Sequence, residues 1–206
     1  MCGKAPPFRP SDSLNSARLR LAPTTMIRIS KDNPCLYLTS VAKDRLPVFQ
    51  TDKVKHIACA ALNEARTSAG ILIFAYVIMP DHVHLITDGA RTASEVLRYT
   101  NGIMARRVID YLKDNNFTSS LDKLRQEEKS RAYKLSLWGH HPNTFLLTSE
   151  AMFMQKVSYI NLNPVRAGLV ERAEDYLFSS ARMWRKSLQE DEPLTIDTNQ
   201  ISWREA

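Results

Sequence analysis

Cysteine is scarce in this chain of 206 residues, and the three present, Cys2, Cys35 and Cys59, form no Cys-x-x-Cys pair. That excludes a disulfide framework and the common zinc spacings, and it suits a reducing compartment. Long apolar runs are missing too. No stretch reaches the roughly 20 residues that span a bilayer, and the basic N-terminus lacks the continuous apolar segment of a signal peptide. The expectation is a cytoplasmic protein with no membrane partner. No internal repeat is visible either.

What is present is enough chain for one good core with tails. The formal charge of +6 leans towards a polyanionic partner without deciding one. Residues 1–25 gather Pro6, Pro7, Pro10 and Pro23 with serines and Arg9, Arg18 and Arg20, and have no period that buries a face; they read as a disordered basic arm. A folded domain is expected over 26–186, followed by a tail over 187–206.

Within that domain Cys35 to Val41 is β-favouring and follows the breaker Asn33-Pro34. Thr51 can cap a helix to about Ser68, with Val54, Ile57, Ala58, Ala61, Leu62 and Ala65 on one stripe and Gly70 as its stop. The nearly unbroken apolar run from Ile71 to Met79 reads as a central strand covered on both faces. Ser94-Glu95 opens a second helix to about Leu112, made cationic by Arg98, Arg106, Arg107 and Lys113. Residues 115–133 are polar and read as a variable insertion or mobile loop. A fourth strand lies around Thr144 to Leu147, after a turn at 139–143, and Ser149 caps a third helix to about Asn163. The order strand, helix, strand, strand, helix, strand, helix is that of an α+β, ferredoxin-like or RRM-like antiparallel sheet with an added C-terminal helix; a small doubly wound fold ranks second.

Two stretches carry candidate chemistry. In Tyr76-Val-Ile-Met-Pro-Asp-His-Val-His-Leu, Pro80-Asp81 breaks the apolar run, and the chain resumes as a strand with His82 and His84 on one face and Val83 and Leu85 on the other. Two adjacent imidazoles are a candidate pair for a shared divalent ion; a polar edge or hydrogen-bonded core histidines are the alternative. In Tyr159-Ile-Asn-Leu-Asn-Pro-Val-Arg-Ala-Gly-Leu-Val, Tyr159 and Asn163 are four apart and share a helical face. An amide oxygen suits a hard divalent ion, and a phenol becomes a nucleophile once deprotonated. Otherwise Tyr159 is a packing aromatic and Asn163 ends the helix before Pro164.

These two motifs together closely resemble the paired signatures of the REP-associated tyrosine transposases, within the IS200-like single-tyrosine HUH transposases. The resemblance runs from about Met26 to Trp184 and includes Arg45-Leu-Pro-Val-Phe49 and Asp175-Tyr-Leu-Phe-Ser-Ser180. It implies an RRM-like fold whose last core helix is catalytic, and Mg²⁺- or Mn²⁺-dependent cleavage of single-stranded DNA near a hairpin through a 5′-phosphotyrosine intermediate. His82, His84 and Asn163 match the metal positions and Tyr159 the nucleophile, in a monomer or a homodimer. Arg98, Arg106, Arg107 and Arg166 are candidate DNA contacts. Two departures stand out: Asp81 occupies a position that is more often Asn, and the spacing from Trp138 to Phe145 is unusual. His140 and His141, inside that interval, are a solvent-exposed turn or a phosphate contact. The competing functions are a domesticated, non-cleaving binder of hairpin or single-stranded DNA and a phosphodiesterase that uses water.

Overall fold

The computed structural model describes residues 26–127, 133–139, 142–187 and 189–203. The basic arm and the pair His140 and His141 lie outside them. The core is one four-stranded antiparallel sheet built from β1 (Cys35–Val41), β2 (Ile73–Ile78), β3 (His82–Thr87) and β6 (Asn143–Leu147), in the order β2-β3-β1-β6. This is the ferredoxin-like arrangement expected from the element order. A doubly wound parallel sheet is excluded, since every pairing in it is antiparallel.

Helices α1 (Asp52–Ala69) and α2 (Ala93–Asp114) pack on each other over one face of the sheet, where Ser40 Oγ donates to Asn101 Oδ1 at 2.9 Å. Thr51 caps α1 as expected, and Gly70, at φ 64°, closes it in the left-handed conformation that glycine adopts without strain. The second helix starts earlier than Ser94. Thr92 is its cap, accepting from the Glu95 amide while the Glu95 carboxylate accepts from the Thr92 amide at 3.0 Å, a reciprocal capping box.

Helix α4 (Glu150–Arg166) covers the other face through Phe153, Val157, Ile160, Asn161 and Pro164. It runs past the stop expected at Asn163. Pro164 falls in the last turn with its ring buried, so the lost amide affects one hydrogen bond only and packing outweighs the local preference. Asn163 is therefore a helical residue.

Three further expectations are corrected. The 115–133 stretch is not a plain loop: it contains α3 (Thr118–Lys123) and a hairpin of β4 (Arg125–Glu127) with β5 (Tyr133–Leu135), anchored by Leu124, which is 1% exposed. β2 is terminal in the sheet rather than central. Its outer edge is covered by the segment 176–180, where the Ile78 amide donates to the Phe178 carbonyl and the Ser180 amide to Tyr76, so all its side chains are buried nevertheless. Much of the stretch read as a C-terminal tail folds back, with Leu194 and Ile201 buried and Ile201 bridged to Ile27. Among the described residues, no helix is long and apolar enough to cross a membrane.

Phe153 is wholly buried and packs its ring against Phe74, Trp184 and Trp203. Phe153→Ala is expected to lower the unfolding free energy by about 3–5 kcal/mol in urea titrations; a loss below about 1 kcal/mol would show that α4 is held elsewhere.

Candidate functional site

Cross-strand register sets the floor of the site. Thr39 lies opposite His84, Val41 opposite His82, Asn143 opposite Thr39 and Phe145 opposite Tyr37. Opposed residues in an antiparallel pair share a face, so Tyr37, Thr39, His82, His84, Asn143 and Phe145 all point towards α4. Lys156, Tyr159 and Asn163, at spacings of three and four, come down from that helix. These side chains and Arg45 line one open cleft. The His82 and His84 rings are 4.9 Å apart between centres, and the Tyr159 ring is 5.4 Å from His84. Tyr159 keeps 37% of its surface exposed, so it is not a packing aromatic.

Both imidazoles are held at Nδ1. Asp81 Oδ1 lies 2.6 Å from His82 Nδ1, and its other oxygen accepts from Arg45 Nη1 at 3.0 Å. Burial alone would raise the Asp81 carboxyl, but the hydrogen bond from His82 and the Arg45 guanidinium outweigh it and hold it below its ordinary range. An ionised Asp81 needs the proton on His82 Nδ1. Arg45 reaches it from a tight turn in which both Asp44 and Arg45 have positive φ, 50° and 52°. His84 Nδ1 sits 3.0 Å from the Tyr37 hydroxyl and 2.9 Å from that of Thr39. Nε2 of each ring is left without a protein hydrogen bond among the described residues.

That donor set fits a divalent cation. Two oriented imidazoles, each braced at the far nitrogen, and the amide of Asn163 in the same cleft match the way metal-binding histidines are supported. Among the described residues no group of three or more His, Cys, Asp or Glu is arranged to hold a metal ion, so the two imidazoles and the amide are the donors such an ion would have. Burial, with the nearby His82 and Lys156, pushes His84 down to about 3, which keeps it neutral and its nitrogen lone pair available.

The other candidates divide. Arg166 joins the site, its guanidinium 5.2 Å from the Tyr159 ring centre. Arg98, Arg106 and Arg107 do not, because α2 lies on the opposite face of the sheet; Arg107 is taken up in a two-bond ion pair with Glu64, and Arg98 lies over Tyr99. Sequence reasoning passed over Tyr37, Thr39, Arg45, Phe145 and Lys156. Tyr37 and Thr39 were legible as alternating positions of β1, and Lys156 as the residue three before Tyr159. Arg45 was not, since nothing local signals two successive left-handed residues.

The His84 environment has a pH consequence. Its folded value near 3 lies below the ordinary 6.5, so the unfolded chain binds more protons between those limits. The stability this confers is complete above pH 6.5 and is lost as pH falls towards 3. Urea denaturation in chelator should show that loss, and His84→Gln should show a shallower fall; parallel curves would contradict the assignment.

Residues 35–141, more than half of the chain, match the family described as "Transposase IS200 like"; the match contains both histidines and ends before α4. A Haemophilus influenzae protein described as "Putative REP-associated tyrosine transposase" is 29% identical over 147 residues, which cover 70% of this chain and 77% of that protein. A solved structure of a REP-associated tyrosine transposase bound to a REP hairpin superposes with a TM-score of 0.54 at 16% identity, covering 80% of this chain and 93% of that one. The shared fold, and the family match across the strands that carry His82 and His84, place the chain in the IS200-like transposase family.

Proposed function

We propose that this protein is an endonuclease and strand transferase acting on single-stranded DNA next to a hairpin, with Tyr159 as its nucleophile. The observation that carries this reading is the meeting of an exposed phenol with two braced imidazoles in one open cleft. Family membership supports DNA as the substrate, and the hairpin bound by the structural neighbour suggests the form of that DNA.

In this reading the Tyr159 oxygen attacks the scissile phosphorus. A bond forms between them, the bond from phosphorus to the 3′ oxygen breaks, the phenol proton is released, and the departing 3′ oxygen is protonated. The 5′ phosphate stays on the tyrosine and keeps the linkage for transfer to another 3′ hydroxyl. A divalent ion such as Mg²⁺ or Mn²⁺, held by His82, His84 and Asn163, supplies Lewis-acid stabilisation of the phosphate charge when bound. Asp81, Tyr37 and Thr39 keep the imidazoles oriented, and Arg166 offers a fixed cation beside the phenol. Tyr37 is the other phenol in the cleft and a poor nucleophile, because burial raises it and its hydroxyl is engaged by His84. In this reading the phenol and the histidines it meets come from the same chain.

Incubation with a labelled DNA hairpin carrying a single-stranded flank, in Mn²⁺, should yield a covalent protein–DNA adduct that Tyr159→Phe reduces to background. Undiminished adduct from Tyr159→Phe would remove the assigned nucleophile, and cleavage without any adduct would indicate attack by water. His82→Ala and His84→Ala should each abolish cleavage while hairpin binding survives within a few-fold. Full cleavage by either would remove the metal reading, and hairpin binding with no adduct in any divalent ion would identify a non-cleaving binder.

A further inference from the structure

Beside the phenol the cleft holds a pair of side chains that the reaction above does not use. Lys156 comes from α4 and Phe145 from the edge strand β6. The Lys156 ammonium lies 4.7 Å from the Tyr37 ring centre, and 5.5 Å from those of Phe145 and Tyr159. Among the described residues no carboxylate is within ion-pair distance of it; Asp81, the acid nearest the histidines, is already shared by Arg45 and His82. Aromatic faces hold a cation in place without neutralising it. Lys156 is thus a positioned, uncompensated positive charge in the cleft.

Phe145 is 50% exposed and shares the cleft face of the sheet with Tyr37, whose ring is 6.2 Å away. A single exposed Phe is ordinary on any surface. This one stands next to a free ammonium, at the open edge of the sheet, where a flat group can approach its ring. A nucleotide carries that combination of partners, an anionic phosphate joined through a sugar to a planar base. A free phosphate would leave the ring unused, and an apolar peptide would bury the ammonium without an acid.

We propose that Lys156 and Phe145 form a nucleotide subsite, in which the ammonium takes a DNA phosphate and the Phe145 ring stacks on the adjoining base. This rests on reading the cleft as a single-strand DNA site. The subsite sets where along the flank the DNA is gripped, and so which phosphate is presented to Tyr159. It binds through stacking and charge, the two sequence-tolerant contributions of single-strand recognition.

The test uses the full chain in chelator, so that no cleavage intervenes, and a synthetic DNA hairpin with 2-aminopurine scanned through each position of its single-stranded flank. Binding should quench the fluorescence at one position. Phe145→Ala should abolish that quench and weaken binding roughly tenfold, with Phe145→Trp restoring both. Lys156→Met should reduce the slope of log affinity against log salt by about 1, with Lys156→Arg restoring it. Melting temperatures should stay within a few degrees of the wild-type value, since Phe145 is half exposed and Lys156 is only partly buried. A quench that survives Phe145→Ala, quenching at no position, or an unchanged salt slope in Lys156→Met would overturn the subsite. An adduct in Mn²⁺ without the quench removes the subsite and leaves the nuclease reading; the quench without an adduct does the reverse, and no hairpin binding at all overturns both.

Discussion

Packing of the apolar stripe of α4 against β2 holds the phenol of Tyr159 beside His84, and every chemical role assigned here depends on that contact. Phe153, Val157, Ile160 and Pro164 recur at helical spacing and bury one side of the helix. With that side fixed, Lys156, Tyr159 and Asn163 have only the histidine face of the sheet to meet. Asn161 adds a polar lock: its buried amide oxygen accepts from Ser180 Oγ, which in turn accepts from the Tyr76 amide. A buried amide of this kind fixes the helix in rotation as well as in depth, because a turned helix would leave it unpaired.

The sheet supplies the opposing half with similar economy. Alternation places both imidazoles on the face that α1 and α2 leave uncovered, and register brings Tyr37 and Thr39 under His84. Asp81 then couples the tight turn before β3 to the Arg45 turn after β1, so that one carboxylate orients His82 and ties together two loops. The carboxylate at position 81 has a physical use: an ionised acceptor sets the His82 tautomer, which an amide there would do less strongly.

Much of this was legible from the order of residues. Hydrophobic period two and period 3.6 located the main strands and helices, and the His-x-His and Tyr-x-x-x-Asn spacings marked the histidines, the phenol and the amide as candidates, to which the resemblance to a known family then attached roles. The misses have physical causes. Pro164 breaks a helix by local rule, yet a buried ring in the last turn outweighs one lost hydrogen bond. β2 reads as central because the strand-like cover over its edge comes from residues about a hundred positions away, a separation no local pattern reports. The arginines of α2 read equally as a DNA groove or as a solvated face, because a cationic helix face carries no sign of which side of the sheet it covers. In the fold, Glu64 neutralises Arg107 and the site lies across the sheet.

The central claim is that the phenol beside His84, rather than the neighbouring one held by it, takes up the DNA. The most direct measurement is mass spectrometry of the peptides released by protease from a protein–DNA adduct formed on a hairpin in Mn²⁺. A nucleotide linked through its 5′ phosphate to the peptide that contains Tyr159 is the predicted result; the same nucleotide on the peptide that contains Tyr37, or on any other residue, would contradict the account.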